Sequence, residues 1–224
     1  MTRVRVVVEG QSEESFISLV LAPVLSHRHV YLTPIILGSP GHKGGNTSYA
    51  RVKKDIVLLF KQDQAAYCST MLDLYGLGPG FPGTSTATNI TNHEKVSRIE
   101  RAVKEDIVAS VPDSLRPEIR FIPYLQLHEY EALLFSDPKA FASSIRQPKL
   151  VEKFEAIRKG FPMPEDINDD PNSAPSKRVL GLYPQYSKVL DGTQAAREVG
   201  IAKMRQECPH FRRWVEKIEA LTTE

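Results

Sequence analysis

The chain has 224 residues, of which 41% are hydrophobic and 25% are charged, as is usual for a soluble globular protein. Its net charge of +2 means that any binding of nucleic acid has to come from a local patch rather than from the overall charge. The sequence has no apolar run of membrane-spanning length, no signal-peptide pattern and only two cysteines, which do not make a disulfide framework. We therefore expect a cytoplasmic protein.

The first predicted strand ends at a carboxylate. Valines dominate residues 4–8, and such a β-branched run predicts a strand that is covered on both faces, as in a parallel sheet. Glu9 follows it, Gly10 permits a sharp turn, and acidic residues including Glu13 suit the first turn of a helix. Open α/β sheets bind ligands at the carboxyl ends of their strands, so Glu9 is either a functional carboxylate or a solvated turn residue.

Strands and helices alternate along the first part of the chain. The predicted helices cover residues 13–26, 47–64 and 92–110, and the predicted strands after the first cover residues 30–37, 67–72 and 119–125. A further helix starts at Asp137-Pro138, and helical patterns continue from there. This order predicts a mainly parallel four-stranded sheet flanked by helices. We expect an α/β domain over residues 1–137 and a helical extension over residues 138–224 packed on it.

Two basic segments are candidates for binding phosphate. The glycine-rich stretch at residues 38–46 contains Lys43 and lacks the ending of a Walker A loop, so it is either a plain connection or a loop that touches a phosphate. Residues 177–213 hold eight Lys or Arg against three Asp or Glu, beginning with Lys177 and Arg178. This excess indicates either a solvated face or a surface that binds nucleic-acid backbone.

Carboxylates follow three of the predicted strands. Glu9 follows the first, Asp73 the third, and Glu129 and Glu131 the fourth. Because the carboxyl ends of parallel strands share one edge, these side chains are expected to converge, to repel one another and to need a divalent ion. Oxygen ligands favour Mg²⁺ or Mn²⁺, which can support an in-line phosphoryl displacement.

Histidines add less to this pattern. His128 is a core residue, a general base or a metal ligand, with the core as the simplest interpretation. Cys208 and His210 offer too few ligands for zinc, and we expect a buried thiol and a histidine that satisfies a helix end. The loop at residues 74–89, rich in Gly, Pro and Thr beside a strand end, favours a functional role.

The motifs resemble a known family. Residues 6–16 (VVVEGQSEESF) resemble the opening glutamate motif of Toprim domains, the metal-binding fold of primases, topoisomerases and OLD-type nucleases. Segments at 70–83, 128–135, 173–178 and 208–214 are similar to an uncharacterised bacterial family of Toprim-like domains of unknown function, often encoded beside AAA-type ATPases. The resemblance covers nearly the whole chain and implies a metal-binding α/β fold.

One position departs from the Toprim pattern. The third-strand motif of that fold is Asp-x-Asp, and here it is Asp73-Leu-Tyr75, so one customary ligand is absent. The resemblance therefore implies metal-ligand roles for Glu9 and Asp73 only. Glu129 and Glu131 would have to complete the site.

The leading hypothesis is a Mg²⁺- or Mn²⁺-dependent nuclease or phosphodiesterase, in one version the effector of an ATPase-coupled phage-defence system. Glu9, Asp73 and one of Glu129 or Glu131 would hold the ion. Glu13 or His128 would position or deprotonate water. The phosphate-binding candidates are Lys43, Lys177 and Arg178.

The alternative hypothesis is a non-catalytic Toprim-like subunit that binds an AAA ATPase partner. Tyr75 in place of the second aspartate favours this alternative, whereas the long loop beside Asp73 favours the nuclease. A polynucleotide kinase or ligase accessory has no specific support in the sequence.

Overall fold

The computed structural model describes residues 1–38, 48–84, 90–168 and 173–221. Its strands form one sheet in which all pairs are parallel, in the order β2-β1-β3, with β4 and β5 one after the other beside β3. The strands are β1 (Thr2–Val8), β2 (Val30–Ile36), β3 (Tyr67–Asp73), β4 (Phe121–Ile122) and β5 (Leu125–Gln126). The predicted parallel α/β architecture is confirmed.

The fourth predicted strand is broken into two short strands. Pro123 has no backbone N–H to continue a ladder, so β4 ends before it and β5 begins after Tyr124. Thr70 of β3 bridges the gap with its side chain, because its Oγ1 donates to the carbonyl of Tyr124 at 2.8 Å and accepts from its N–H at 2.9 Å. The predicted start at Ile119 is wrong by two residues, since that residue lies in helix α5 (Pro117–Arg120).

The first predicted helix is present as three continuous pieces. These are α1 (Gln11–Phe16), a π-helical turn (Ile17–Leu21) and α2 (Ala22–Ser26). The wide turn precedes Pro23, which cannot donate a helical hydrogen bond.

Two of the described helices cover one face of the sheet. The hydrophobic core between them and the sheet is distinct from the core on the other face. These helices are α3 (Tyr49–Gln62) and α4 (Asn92–Ser110), and their buried stripes pack on Val7, Leu72 and Leu125. The capping box predicted for α4 is present, because the backbone N–H groups and side chains of Thr91 and Glu94 bond reciprocally at 2.8–3.2 Å.

The other face carries the helices from the second half of the chain together with α1 and α2. These helices are α6 (Pro138–Ser144), α7 (Val151–Lys159), α8 (Pro175–Leu182), α9 (Leu190–Val199), α10 (Ile201–Glu207) and α11 (Pro209–Glu219). The α11 helix is fastened to the sheet where the indole of Trp214 donates to Ser69 Oγ at 2.9 Å. The boundary between residues 137 and 138 stays a prediction. No helix in the described ranges has both the length and the apolar character to cross a bilayer.

Side chains cap the outer edge of β5. The N–H of Leu125 donates to Glu100 Oε1 at 2.8 Å, and its carbonyl lies 3.2 Å from His210 Nε2. His210 Nε2 is also 3.0 Å from Glu100 Oε1, while Arg213 donates to His210 Nδ1 at 3.3 Å. Because Arg213 is only a donor, Nδ1 accepts and the proton of the ring lies on Nε2. His210 therefore satisfies a strand edge rather than the predicted helix end.

Candidate metal centre

The candidate carboxylates meet in one cleft at the carboxyl ends of the strands. Glu9 directly follows β1, Asp73 is the last residue of β3, and Glu129 lies three residues after β5. They line a cleft of about 390 Å³ together with Glu13 and Lys188. The convergence that the parallel arrangement predicts is therefore present in the structure.

Glu9 is held against a glycine. A β-carbon built on Gly76 would lie 2.8 Å from Glu9 Oε1 and closer still to Oε2. Gly76 belongs to a short 3₁₀ turn, Leu74–Gly76, that directly follows β3. The turn thus brings the backbone after Asp73 into contact with the carboxylate that follows β1, and only glycine leaves room for it.

Glu13 is fixed by the turn that follows β1. Its Oε2 accepts the backbone N–H of Gly10 at 3.0 Å, so its side chain folds back over the start of α1, and the residue is only 7% exposed. Burial raises the pKa of Glu13 and the neighbouring Glu129 adds to that shift, although backbone N–H groups and Lys188 oppose it.

Asp73 is the centre of the acidic group. Its Oδ1 is buried and has no hydrogen-bond partner within the described ranges. Burial raises the pKa of Asp73 well above its ordinary value, and the negative charges of Glu13, Glu9, Glu131 and Glu129, in that order, raise it further. Binding of a cation or a proton would therefore stabilise this carboxylate.

A lysine lies among these carboxylates, although no motif in the sequence points to it. Lys188 Nζ lies 3.4 Å from Glu129 Oε1 and 3.7 Å from Glu131 Oε1. Burial lowers the pKa of Lys188, but Glu131, Glu129 and Asp73 outweigh that effect and raise it. Lys188 therefore neutralises part of the repulsion that was expected among these carboxylates. The sequence signal was available only as a general excess of basic residues at 177–213.

Glu129 and Glu131 differ in their surroundings. Glu129 Oε2 accepts the backbone N–H of Ser176 at 2.9 Å, in the first turn of α8. Glu131 is 2% exposed, and burial together with Glu129 and Glu13 raises its pKa to about 7, although Lys188 opposes the shift. Glu129 therefore faces the cleft, whereas Glu131 stands behind it against Lys188.

His128 lies in the interior, next to Tyr75. It is fully buried, its φ of 65° lies in the left-handed region, and its ring stacks on Tyr75 at 5.0 Å between centroids. Tyr75 lines the cleft, whereas His128 is not among the cleft-lining residues. The general-base role for His128 stays a prediction, and this position matches the core interpretation.

Of the predicted phosphate-binding residues, neither Lys177 nor Arg178 lines the cleft. Lys43 lies outside the described residues. Lys177 is exposed on α8. Arg178 donates through Nε to the carbonyl of Ser173 at 2.7 Å, and its guanidinium lies 5.2 Å from the centre of the Phe161 ring. Arg178 is thus held by local contacts, and a nucleic-acid role for either residue stays a prediction.

The donor chemistry suits Mg²⁺ or Mn²⁺. Carboxylate oxygens are the ligands that these ions prefer, and the buried Asp73 Oδ1 has no donor among the described residues. Within the same ranges, no three His, Cys, Asp or Glu side chains are already gathered closely enough to hold an ion. Binding would therefore require the carboxylates to move together, with Lys188 yielding part of its role as counter-ion.

Comparisons with known proteins give a family and distant structural matches. No curated protein matches the sequence. The chain is similar to the C-terminal region of the Burkholderia pseudomallei OLD protein, with 16% identity, 97% of each chain covered and a TM-score of 0.49. It is similar to the corresponding region of the Xanthomonas campestris pv. campestris OLD protein, with 15% identity, 96% and 97% coverage and a TM-score of 0.43. The profile of the domain of unknown function DUF4276 matches residues 8–219. The chain therefore belongs to the DUF4276 family.

Proposed function

We propose that the protein is a Mg²⁺- or Mn²⁺-dependent phosphodiesterase or nuclease that acts on nucleic acid. The observation that carries this proposal is the buried Asp73 carboxylate, with an unbonded Oδ1, in a cleft where other carboxylates converge from different strand ends. Carboxylates whose pKa values are raised by burial and by one another cluster at functional sites.

The residues of the cleft divide into roles. Glu9 and Asp73 would hold the ion, with Glu129 or Glu131 completing the ligand set. Glu13 would accept a proton from the attacking water, since burial raises the pKa of its carboxyl. Lys188 would pair with a non-bridging phosphate oxygen. The ion, when bound, would supply charge stabilisation for the displacement at phosphorus.

Metal-dependent stabilisation tests this proposal most directly. Mn²⁺ or Mg²⁺ should raise the melting temperature of the wild-type protein by mass action. Glu9→Gln and Asp73→Asn keep the side-chain shape and remove one charge, so each should abolish that rise without unfolding the protein. The matched control is Glu105→Gln on the exposed face of α4, which should retain it.

Cleavage is the second measurement. Labelled nucleic acid, supplied as single strands or as duplexes and incubated with Mn²⁺, should be cut in at least one of these forms by the wild type and the Glu105→Gln control but in neither form by Glu9→Gln. Metal stabilisation that survives both Glu9→Gln and Asp73→Asn would place the ion elsewhere. Stabilisation without cleavage would leave a metal-binding protein that is not a nuclease.

A second candidate function is a non-catalytic subunit that binds an AAA ATPase partner. Two observations favour it, since Lys188 already neutralises part of the acidic group and Tyr75 stacks on His128 where the Toprim pattern has a second aspartate. Under this alternative, neither metal stabilisation nor cleavage appears, alone or with an ATPase partner present. The role in an ATPase-coupled phage-defence system is tied to such a partner and is part of the proposal.

A further inference from the structure

A basic groove runs along the outer side of β4, between α4 and α11. Its volume is about 570 Å³, and it shares no lining residue with the acidic cleft. Nothing in the roles proposed above uses this groove.

Cations form both rims of the groove. Arg101 and Lys104 lie on α4, and Arg213 and Lys217 lie on α11. Residues three or four apart on a helix lie on the same face, so each helix presents a pair of cations to the groove. Arg101 and Lys217 form no ion pair among the described residues.

These charges are not balanced locally. Glu100 is the one acidic residue among the described residues that line the groove, and its Oε1 is engaged by the Leu125 N–H at 2.8 Å and by His210 at 3.0 Å. Lys104 pairs with Glu118 at 3.3 Å, but the Glu118 side chain is 71% exposed and such a pair is weak. The groove therefore attracts an anion.

The floor of the groove indicates whether the anion is a peptide or a nucleic acid. Ile119 is 53% exposed there, beside the partly buried Ile122 and Pro123. An added peptide strand would need the backbone edge of the sheet, and here that edge is limited to the two residues of β4. Beyond them Pro123 has no N–H, and the backbone of Leu125 is already bonded by Glu100 and His210. A single nucleic-acid strand needs no such edge, because it places phosphates on cations and packs bases against an apolar floor.

We propose that this groove binds single-stranded nucleic acid, with the backbone on the two cation pairs and bases against the floor around Ile119. The inference rests on the proposed function insofar as the bound strand is the one that the acidic cleft would cut. It adds the substrate class and the surface that holds it.

Fluorescence anisotropy with labelled oligothymidylate in EDTA tests the groove without cleavage. Arg101→Gln/Lys217→Gln should weaken binding about tenfold and reduce the salt slope by about 1.4, the loss of two single-strand phosphate contacts. The charge-conserving Arg101→Lys/Lys217→Arg variant should bind like the wild type. Lys54→Gln/Lys61→Gln, which removes two exposed charges from α3, is the matched control and should also bind like the wild type.

The outcomes separate this inference from the proposed function. An equal loss of affinity in the α3 control would mean that only net charge matters and would contradict binding in the groove. Absence of binding by the wild type would contradict it as well. So would poly-glutamate competing as well as oligothymidylate, since the groove would then serve an acidic protein segment. Mn²⁺ stabilisation is measured on the same variants and should persist in all of them. A wild type that binds the oligonucleotide but shows no Mn²⁺ effect would refute the metal centre and leave the groove standing.

Discussion

The carboxylate of Glu9 lies directly against the Cα of Gly76. A β-carbon at that position would lie only 2.8 Å from Glu9 Oε1. This contact joins the end of β1 to the turn after β3. The position of the first candidate metal ligand is therefore set by a residue that has no functional group of its own.

Gly76→Ala should consequently impair the metal centre from outside the ligand set. The added methyl would displace the Glu9 carboxylate, so we expect loss of the Mn²⁺-dependent rise in melting temperature while the fold is retained. Gly181→Ala is the control, because a β-carbon there meets nothing within 4 Å. That helical position should gain roughly 0.5–1 kcal/mol of stability and keep the metal effect. A normal Mn²⁺ response in Gly76→Ala would show that Glu9 is free to move away.

Without metal, the protein should lose stability as the pH rises. Burial raises the pKa values of Asp73 and Glu13 and brings that of Glu131 to about 7, with neighbouring carboxylates adding to each shift. An acid whose pKa is higher in the folded than in the unfolded protein stabilises the fold fully at pH values below its unfolded-state pKa. That stabilisation is lost as the pH rises through its folded-state pKa. In EDTA, the free energy of unfolding should fall by ~1–3 kcal/mol between weakly acidic and weakly alkaline solution.

Denaturant titrations across that pH window measure the slope. Glu131→Gln should flatten it, whereas Glu105→Gln on the exposed face of α4 should leave it unchanged. Mn²⁺ should restore stability most at the alkaline end, where the carboxylates are ionised. A slope that is independent of Glu131 would assign the pH dependence to other groups.

Lys188→Met should make the cleft more dependent on metal. Without the ammonium group, the negative charges of Glu129 and Glu131 lack their neighbour at 3.4 and 3.7 Å, so the metal-free protein should lose ~1–2 kcal/mol at neutral pH. A divalent ion would then supply the missing charge, and its stabilising effect should be larger than in the wild type. Lys203→Met removes a comparable ion pair, with Glu207 at 2.8 Å, away from the cleft and should not change the metal effect. An unchanged Mn²⁺ response in Lys188→Met would argue against competition between the lysine and the ion.

Glu165→Gln should destabilise the fold without touching the metal centre. This fully buried carboxylate accepts the N–H groups of His210 and Phe211 at 3.0 and 2.8 Å at the start of α11. A glutamine offers one oxygen instead of two, so one buried N–H loses its partner at a cost of ~1–3 kcal/mol. Urea titration should show that loss with an intact Mn²⁺ response, and Glu94→Gln at the exposed capping box of α4 should cost less. Equal costs at the two caps would mean that burial at Glu165 adds nothing.

Short-range patterns in the sequence predicted most of the architecture. The valine run fixed β1, and the capping box of Thr91 and Glu94 placed the start of α4, because both signals act over a few neighbouring residues. The break at Pro123 follows from its missing N–H and could have been predicted by the same reasoning.

The candidate site was predictable only where its residues follow strands. Glu9 and Asp73 were found because parallel strand ends share an edge. Lys188 reaches Glu129 across 59 residues of sequence, and no local pattern reports such a contact. Gly76 was visible only as part of a glycine-rich loop, since its role depends on a close approach between two distant turns.

The capping of β5 has a consequence for the order of events during synthesis. The N–H of Leu125 can be satisfied early, because Glu100 precedes it, but its carbonyl waits for His210, which is 85 residues further along the chain. At ordinary translation rates that interval is roughly 4–17 s. For that time the Leu125 carbonyl at the edge of the nascent sheet lacks this partner, and incompletely bonded strand edges are surfaces on which neighbouring chains associate. Expression yield should therefore be sensitive to the speed with which α11 emerges.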